Sequence, residues 1–138
     1  MQGSYSLVLE STDNFEQTIG SLGTFSFPQG WCVYVGSAFG PGGFSRLDRH
    51  KRIATNQSST LHWHIDYLLH HDAIMIKEAF ISPQEDIECE ILDSLTGEII
   101  PGFGASDCNC DSHLLISAQY ASIETKLREI HTTTYNFE

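Results

Sequence analysis

The basic residues of this chain are concentrated next to a glycine-rich loop. Four of its seven Lys and Arg residues lie close together, at Arg46, Arg49, Lys51 and Arg52. The preceding segment, residues 31–35, alternates β-branched and aromatic residues as strands do. A loop rich in Gly and Pro follows, and the basic residues then fall on a predicted helix. Because guanidinium and ammonium groups bind oxyanions, a strand, a loop and a basic helix in this order predict a phosphate-binding site.

Five further side chains with acid-base or metal-binding capacity lie on other predicted elements: Tyr5, Tyr34, His62, His64 and Glu88. Each also has a purely structural explanation. Tyrosines on strands are more often amphipathic core residues, and Glu88 could simply form an ion pair with a cation such as Arg46. His62 and His64 would face different ways on a helix, whereas on a strand or loop they could converge. Read alone, none of these side chains establishes a function.

Glu88 stands out because it falls on the apolar side of its predicted helix. The segment that begins at Ser82 has the signature of a helix start, with proline and glutamate at the following positions. On a helical wheel, Glu88 lies within the arc of an apolar stripe formed by Ile87, Ile91 and Leu95. Because a buried carboxylate needs a cation or a metal ion as its partner, the sequence predicts one for Glu88.

The elements that position these residues belong to one predicted domain of 138 residues. Alternating apolar patterns indicate three main strands, at residues 3–10, 31–35 and 73–81. The other predicted strands are short pieces at 15–20 and 24–27 and a closing strand at 114–117. The other predicted helices are one that begins at residue 44 and two at residues 61–71 and 123–131. The tyrosines, the basic residues and Glu88 thus lie on different elements, and only the fold can bring them together.

Composition indicates an ordinary soluble globular protein, with 41% hydrophobic and 18% charged residues. The net charge of −11 counts against a nucleic-acid partner, although the local field of one basic helix matters more than the total. No apolar run approaches the roughly 18–20 residues of a membrane span, and the N-terminal residues do not form a signal peptide pattern. We therefore expect no membrane contact and a cytoplasmic location, where the four cysteines would be reduced.

A late loop, at residues 101–113, is dense in polar and sulfur-bearing side chains. It carries Cys108, Cys110 and His113, whose spacing is shorter than that of zinc fingers. A fourth zinc ligand is not obvious, although Cys89 and Asp107 are candidates, so a structural Zn²⁺ is the less favoured interpretation. In the alternative, Asp107 and His113 border a functional groove and the cysteines pack as small apolar groups.

Taken together, these motifs resemble the GIY-YIG nuclease superfamily, and most closely its small stand-alone Uri-like branch. The segments that carry the resemblance are Gly3-Ser4-Tyr5, Tyr34-Val35-Gly36, WCVYVGSA, RLDRH, HWHIDYLL and GFGASDCNCDSHL. The resemblance covers about residues 3–115 and leaves 116–138 as a C-terminal extension. A two-tyrosine motif alone is weak, but four blocks in the same order are fairly specific.

The chain also departs from the family pattern. Ser4 stands where isoleucine is usual, and the spacing from Tyr34 to Arg46 is longer than expected. No residue clearly matches the late asparagine of the superfamily, for which Asp107 and Asn109 are the candidates.

The resemblance implies an α/β domain of the α+β type, with a small, mainly antiparallel three-stranded sheet flanked by helices. It also implies an endonuclease that hydrolyses phosphodiester bonds, in DNA rather than RNA, with one Mg²⁺ or Mn²⁺ bound by Glu88. Arg46 would hold the scissile phosphate, while Tyr5 and Tyr34 would position and help deprotonate the attacking water, with His62 nearby. Residues expected to contact the substrate are Gly36, Arg49, His50, His64, Asp107 and His113. This interpretation requires the two phenols, the guanidinium and the carboxylate to meet around one water-filled hollow.

Two other classes of function stay open. A non-catalytic nucleic-acid-binding module would keep the fold, and a protein-interaction domain would account for the acidic total charge. The retained tyrosine, arginine and glutamate residues favour catalysis, because a pure binding module does not need a buried carboxylate.

Overall fold

In the part of the chain that the structure describes, the protein consists of antiparallel β-strands and four helices. The computed structural model describes residues 2–39, 42–55, 61, 63–104, 112–131 and 133–137. In chain order the elements are β1 (Gly3–Ser11), β2 (Phe15–Ile19), β3 (Gly23–Phe27), β4 (Gly30–Ser37), α1 (Ser45–Ala54), α2 (His64–Leu69), β5 (Ile74–Pro83), α3 (Glu88–Asp93), β6 (Glu98–Ile99), β7 (Leu114–Ser117), α4 (Tyr120–Ile130) and β8 (Thr133–Thr134).

The three long strands β4, β1 and β5 are adjacent at the centre of one antiparallel sheet. Its full order within the described residues is β6-β7-β4-β1-β5-β8, and β2 with β3 forms a separate hairpin. The three central strands correspond to the three predicted from alternation, and the short strands β6, β7 and β8 extend the sheet. The predicted α+β class, with an antiparallel sheet flanked by helices, is confirmed.

Successive residues of β1 serve two different cores because strand side chains alternate between the faces of a sheet. On the first face, Tyr5, Leu7 and Leu9 pack with the apolar residues of α1, α2 and the β2–β3 hairpin. On the second face, Val8 packs with apolar residues of α3 and α4. We call these the first face and the second face below. The first face is the one that carries both motif tyrosines.

The segment that begins at Ser82 is not a helix start, so that prediction is wrong. Ser82 pairs with Ser4 in the β1–β5 ladder, and β5 continues to Pro83 before the chain turns at Gln84, which has a φ of 67°. The Ser82 hydroxyl lies 2.8 Å from Nδ1 of His131 and does not cap a helix. Strand pairing therefore overrides the local capping pattern, and α3 begins only at Glu88.

The segment beyond residue 115 is an integral part of the fold. Ile123 and Leu127 of α4 are buried in the second-face core. His131, at the end of α4, is buried and lies within hydrogen-bond distance of the hydroxyls of Ser6 (2.7 Å) and Ser82 (2.8 Å). These contacts fasten the end of α4 to the two central strands. Among the described residues, no helix is long and apolar enough to span a bilayer.

Candidate functional site

Tyr5 is seated at the centre of the first face, with 1% of its surface exposed. It pairs with Gly36 across the β1–β4 ladder. A Cβ added at Gly36 would overlap the Tyr5 ring, since it would lie 2.5 Å from the hydroxyl oxygen and 2.8 Å from Cε1. Gly36, which the sequence analysis predicts as a substrate contact, therefore makes room for the tyrosine ring in this structure.

The Tyr5 hydroxyl lies 2.8 Å from Nε2 of His50, a fully buried residue of α1. Burial raises the pKa of Tyr5 well above its ordinary value, and the nearby Tyr34 adds to the rise. Burial also lowers the pKa of His50 to about 3. Both groups are therefore neutral near pH 7, which means that Tyr5 is a hydrogen-bonding phenol there and not a phenolate base.

Arg46 lies near the Tyr5 hydroxyl, and its positive charge works against the rise in the pKa of Tyr5. The direction of the hydrogen bond between the Tyr5 hydroxyl and Nε2 of His50 follows the histidine tautomer, because a neutral imidazole donates from one ring nitrogen and accepts at the other. Within the described residues the buried Nδ1 of His50 has no hydrogen-bond partner.

Arg46 is fixed at the end of β4. Its Nη1 donates to the carbonyl oxygen of Ser37 over 2.7 Å. A guanidinium has five N–H donors, so this hydrogen bond uses only part of its capacity. Because its planar donor array matches phosphate oxygens, an Arg46 held in this way is suited to the phosphate-binding role predicted for it.

Arg49 is held by a buried carboxylate that the sequence analysis does not single out. Asp66 is fully buried and accepts two hydrogen bonds of 2.9 Å from Arg49 and one of 2.9 Å from the backbone N–H of Trp63. Arg49, a predicted substrate contact, thus has its charge matched within the protein. On the helical wheel of α2, Asp66 lies beside the buried Leu69, so the argument that selected Glu88 could have found it.

Trp63 is the second feature that the sequence analysis misses. Its ring centroid lies 4.4 Å from Cζ of Arg49 and 4.7 Å from Cζ of Arg46, and 6.3 Å from the His50 ring. The residue is 37% exposed. An indole ring at the surface is therefore held against both guanidiniums of the site.

Tyr34 lies on the same face as Tyr5, nearer to solvent. The two ring centroids are 6.3 Å apart, and Tyr34 is 8% exposed. Its ring packs edge-on against buried Phe103, with a centroid distance of 6.1 Å. The structure thus brings both predicted tyrosines together with Arg46.

His113 lies beside Tyr34, and His64 packs against Phe103, whose ring contacts Tyr34. Both histidines are predicted substrate contacts. Nδ1 of His64 accepts the backbone N–H of Gly104 over 2.8 Å. The His113 ring centroid is 6.4 Å from that of Tyr34, and burial lowers the pKa of His113, which is therefore neutral near pH 7. Both histidines thus support the chain around Tyr34.

Glu88 approaches from the other side of the sheet. Its Oε2 lies 3.2 Å from the hydroxyl of Ser4, whose side chain points to the face opposite that of Tyr5. In the described part of the chain, the Glu88 carboxylate forms no hydrogen bond or ion pair with Arg46 or with either motif tyrosine. Ser4 nevertheless pairs with Ser37, whose carbonyl oxygen binds Arg46. Glu88 and Arg46 thus reach the same end of the β1–β4 ladder from opposite faces. The sequence analysis requires them to meet around one hollow, and in this structure they do not share one face.

Glu88 and its surroundings offer oxygen donors that fit a hard divalent cation. Partial burial raises the pKa of Glu88, and the neighbouring Asp86 raises it further. Two carboxyl groups and the Ser4 hydroxyl are ligands of the type that Mg²⁺ and Mn²⁺ take, with water completing the shell. Within the described ranges, no group of three or more His, Cys, Asp or Glu side chains could hold a metal ion. The Glu88 and Asp86 carboxyl groups and the Ser4 hydroxyl therefore fit a cation that takes few ligands from the protein and the rest from water.

The remaining predicted residues, His62, Asp107, Cys108, Cys110 and Asn109, lie outside the described residues. The prediction that all four cysteines are reduced is wrong, because Cys89 is disulfide-bonded, while Cys32 is free and buried. A disulfide depends on proximity in the fold, which the spacing along the chain does not reveal. A disulfide-bonded sulfur is not a thiolate, so Cys89 is no longer a candidate ligand for the predicted zinc site.

Comparison with known proteins identifies one family. The model of a family described as a domain of unknown function, DUF123, matches residues 4–136. No curated protein and no solved structure matches the chain.

Proposed function

The chain belongs to the DUF123 family, and from its site we propose that it is a divalent-metal-dependent endonuclease that hydrolyses phosphodiester bonds in nucleic acid, with DNA as substrate in preference to RNA. The observation that carries the proposal is the grouping on the first face of Arg46, held by the Ser37 carbonyl, with Tyr34 and with the buried pair of Tyr5 and His50. The resemblance of the motifs to GIY-YIG nucleases supports the same conclusion.

Arg46 is the residue that holds the scissile phosphate in this proposal. Its hydrogen bond to the Ser37 carbonyl and its contact with the Trp63 ring orient the guanidinium before substrate arrives, so little side-chain entropy is lost on binding. Its remaining N–H donors then stabilise the negative charge that builds on the phosphate oxygens during attack.

The two tyrosines take different roles. Tyr5 stays protonated near pH 7 and is hydrogen-bonded to His50, beside Arg46. Tyr34 is the more exposed phenol, and we assign to it the orientation of the attacking water. Among the described residues, Nδ1 of His50 is one of two buried side-chain atoms without a hydrogen-bond partner, and a role in this cluster would explain it.

Glu88 and Asp86 are the residues that would hold Mg²⁺ or Mn²⁺. When bound, such an ion supplies charge stabilisation to the phosphate and to the leaving oxygen. Glu88 and Arg46 reach the same end of the β1–β4 ladder from opposite faces, so in this proposal the cation would lie at that end of the ladder and not in the single hollow, shared with the tyrosines, that the sequence analysis expects.

We also propose a cytoplasmic location. Disulfides persist mainly in oxidising compartments, so the redox state of Cys89 in the cell tests this proposal. Alkylation of thiols in rapidly acidified cell extracts would support the cytoplasm if Cys89 is reduced there, and would contradict it if Cys89 is disulfide-bonded there.

The test of function is a cleavage assay with labelled single-stranded, duplex and branched DNA and matching RNA, in Mg²⁺ or Mn²⁺ and in EDTA. Wild type is compared with Tyr5→Phe, Arg46→Lys and Glu88→Gln. Loss of one charge-stabilising donor in an active site typically costs about 10²–10³-fold in rate, so Arg46→Lys should lose cleavage by about that factor. Arg52→Ala is the matched control, because Arg52 is an exposed arginine of the same helix.

The other outcomes separate the competing functions. Cleavage that survives both Tyr5→Phe and Arg46→Lys would overturn the proposed site. Binding with steep salt dependence and no cleavage would indicate a non-catalytic nucleic-acid-binding module. Absence of any affinity for nucleic acid at low salt would favour a protein-interaction domain.

A further inference from the structure

An exposed tryptophan beside the proposed phosphate-binding arginine is not needed for the reaction described above. Trp63 is 37% exposed, although large aromatic side chains usually contribute to a core. It precedes α2 and is not a member of either buried core cluster. Its ring contacts Arg46, Arg49 and His50, and more than a third of its surface stays exposed.

The position of Trp63 is fixed by buried groups. Its backbone N–H donates to Asp66, which is fully buried and also binds Arg49 through both carboxylate oxygens. The ring lies edge-on to His50 and within 4.7 Å of the Cζ of Arg46. An exposed ring is thus held at a defined distance from the group proposed to bind phosphate.

We propose that Trp63 is the platform of a nucleobase subsite, on which the unpaired base next to the scissile phosphate stacks. The inference rests on the proposed function, because it takes Arg46 as the phosphate ligand. In a nucleotide the base and its phosphate are joined through a single sugar, so an indole adjacent to Arg46 is placed to meet the base of the nucleotide whose phosphate Arg46 holds. Every base has a π-face, so stacking on an aromatic ring tolerates different sequences.

The charge distribution selects a single strand as the substrate. A base inside a duplex is stacked on both sides and must be extruded before it can reach a protein ring. The chain has a net charge of −11, and four of its seven basic residues lie on α1, beside Trp63. A second strand would bring its phosphates against the acidic remainder of the surface, whereas one strand can follow α1 alone. The substrate class is therefore nucleic acid with an unpaired base at the cut site, such as a single strand, a flap or a loop.

The first test uses the fluorescence of Trp63 itself. The chain has two tryptophans, and Trp31 packs against Tyr120 in a tilted arrangement, with centroids 4.5 Å apart, in contact with the second-face core. Trp31→Phe therefore leaves Trp63 as the sole indole and serves as the reference protein. A short single-stranded oligonucleotide should quench Trp63, and the same oligonucleotide with abasic positions should bind about 5- to 100-fold more weakly with little quenching. Equal affinity and equal quenching for the intact and abasic strands would overturn the inference.

The second test substitutes the ring. Trp63→Leu should weaken single-strand binding by about the same factor, whereas Trp63→Phe should retain most of the affinity because it keeps an aromatic face. Duplex binding should change by less than about twofold in both variants. Should Trp63→Leu fail to fold, the abasic comparison in the reference protein still decides the question, because it leaves Trp63 in place. Retained single-strand affinity in a folded Trp63→Leu would overturn the inference.

Cleavage separates this inference from the proposed function. Base-dependent quenching of Trp63 without any cleavage would support the subsite and refute the nuclease. Cleavage that is equal for intact and abasic strands would support the nuclease and refute the subsite.

Discussion

Gly36→Ala tests the geometry of the site without depending on any assigned activity. The added Cβ would overlap the Tyr5 ring, lying 2.5 Å from its hydroxyl oxygen and 2.8 Å from Cε1. Tyr5 cannot withdraw easily, because it is 1% exposed and its hydroxyl is bonded to His50. Overpacking of a close-packed interior costs about 1–3 kcal/mol, and the confined ring places this variant in the upper part of that range, at about 2–3 kcal/mol of unfolding free energy.

Urea unfolding followed by tryptophan fluorescence measures this loss. The matched control is Ser37→Ala, one residue further along β4, with its side chain directed to the other face of the sheet. It should lie within about 0.5 kcal/mol of wild type.

A double-mutant cycle attributes the loss to the ring. In a Tyr5→Leu background the ring is absent, so the added Cβ at Gly36 should cost at least about 1 kcal/mol less than in wild type. Two results would refute the reasoning: a stability of Gly36→Ala within about 0.5 kcal/mol of wild type, or an equal cost in both backgrounds.

Three further predictions concern contacts around the site and on the second face. Asp66→Asn should lose about 2–3 kcal/mol of unfolding free energy, because it leaves Arg49 without its buried carboxylate partner. A loss below about 0.5 kcal/mol, measured by urea unfolding, would contradict the role given to Asp66. Ser4→Ala should lose about 1–2 kcal/mol in the same assay, because its hydroxyl oxygen accepts the backbone N–H of Ile87 at the start of α3, whereas an unchanged stability would show that this contact is dispensable. Burial lowers the pKa of His131 to about 4, while an unfolded histidine has a pKa of about 6.5, so the unfolded chain takes up the proton first. The contribution of His131 to the free energy of unfolding is therefore fully present above about pH 6.5 and falls by about 2–3 kcal/mol as the pH drops to about 4. His131→Gln should show a smaller pH dependence of the unfolding free energy than wild type. An identical pH dependence would count against a lowered pKa of His131.

The central strands could be predicted from the sequence because each has a strong local pattern. Alternation around Tyr5 and around Tyr34 indicates strands, and the structure confirms both as β1 and β4. The basic helix also forms as predicted, because its residues favour helix and its apolar positions face the core. Local patterns of this kind survive folding because they agree with the tertiary environment.

The parts that could not be predicted depend on contacts between distant residues. Ser82 looks like a helix cap in the sequence, but its pairing with Ser4 and its contact with His131 make it part of a strand. The true start of α3 is stabilised by Ser4, which lies far away in the sequence. Asp66 could have been found by the argument used for Glu88, but its partner Arg49 could not.

The histidine beside Tyr5 is a similar case. His50 is predicted only as a substrate contact, whereas the structure puts its ring against the Tyr5 hydroxyl. His50 is one helical turn after Arg46, so both side chains project from the same face of α1 toward β1. A helix-face argument applied to α1 could have selected His50, but the choice of Tyr5 as its partner required the fold.

Chemical rescue of an arginine variant tests the central claim, that Arg46 binds the phosphate during cleavage, most directly. Single-turnover cleavage of a labelled single strand in Mg²⁺ is measured for wild type, Arg46→Ala and the control Arg52→Ala, with and without added guanidinium ion at a concentration that leaves all three proteins folded. We expect Arg46→Ala to lose about 10²–10³-fold in rate, guanidinium to restore a measurable part of that loss in Arg46→Ala alone, and Arg52→Ala to cleave at nearly the wild-type rate. Wild-type cleavage by Arg46→Ala, or no cleavage by the wild-type protein with either Mg²⁺ or Mn²⁺, would contradict the account.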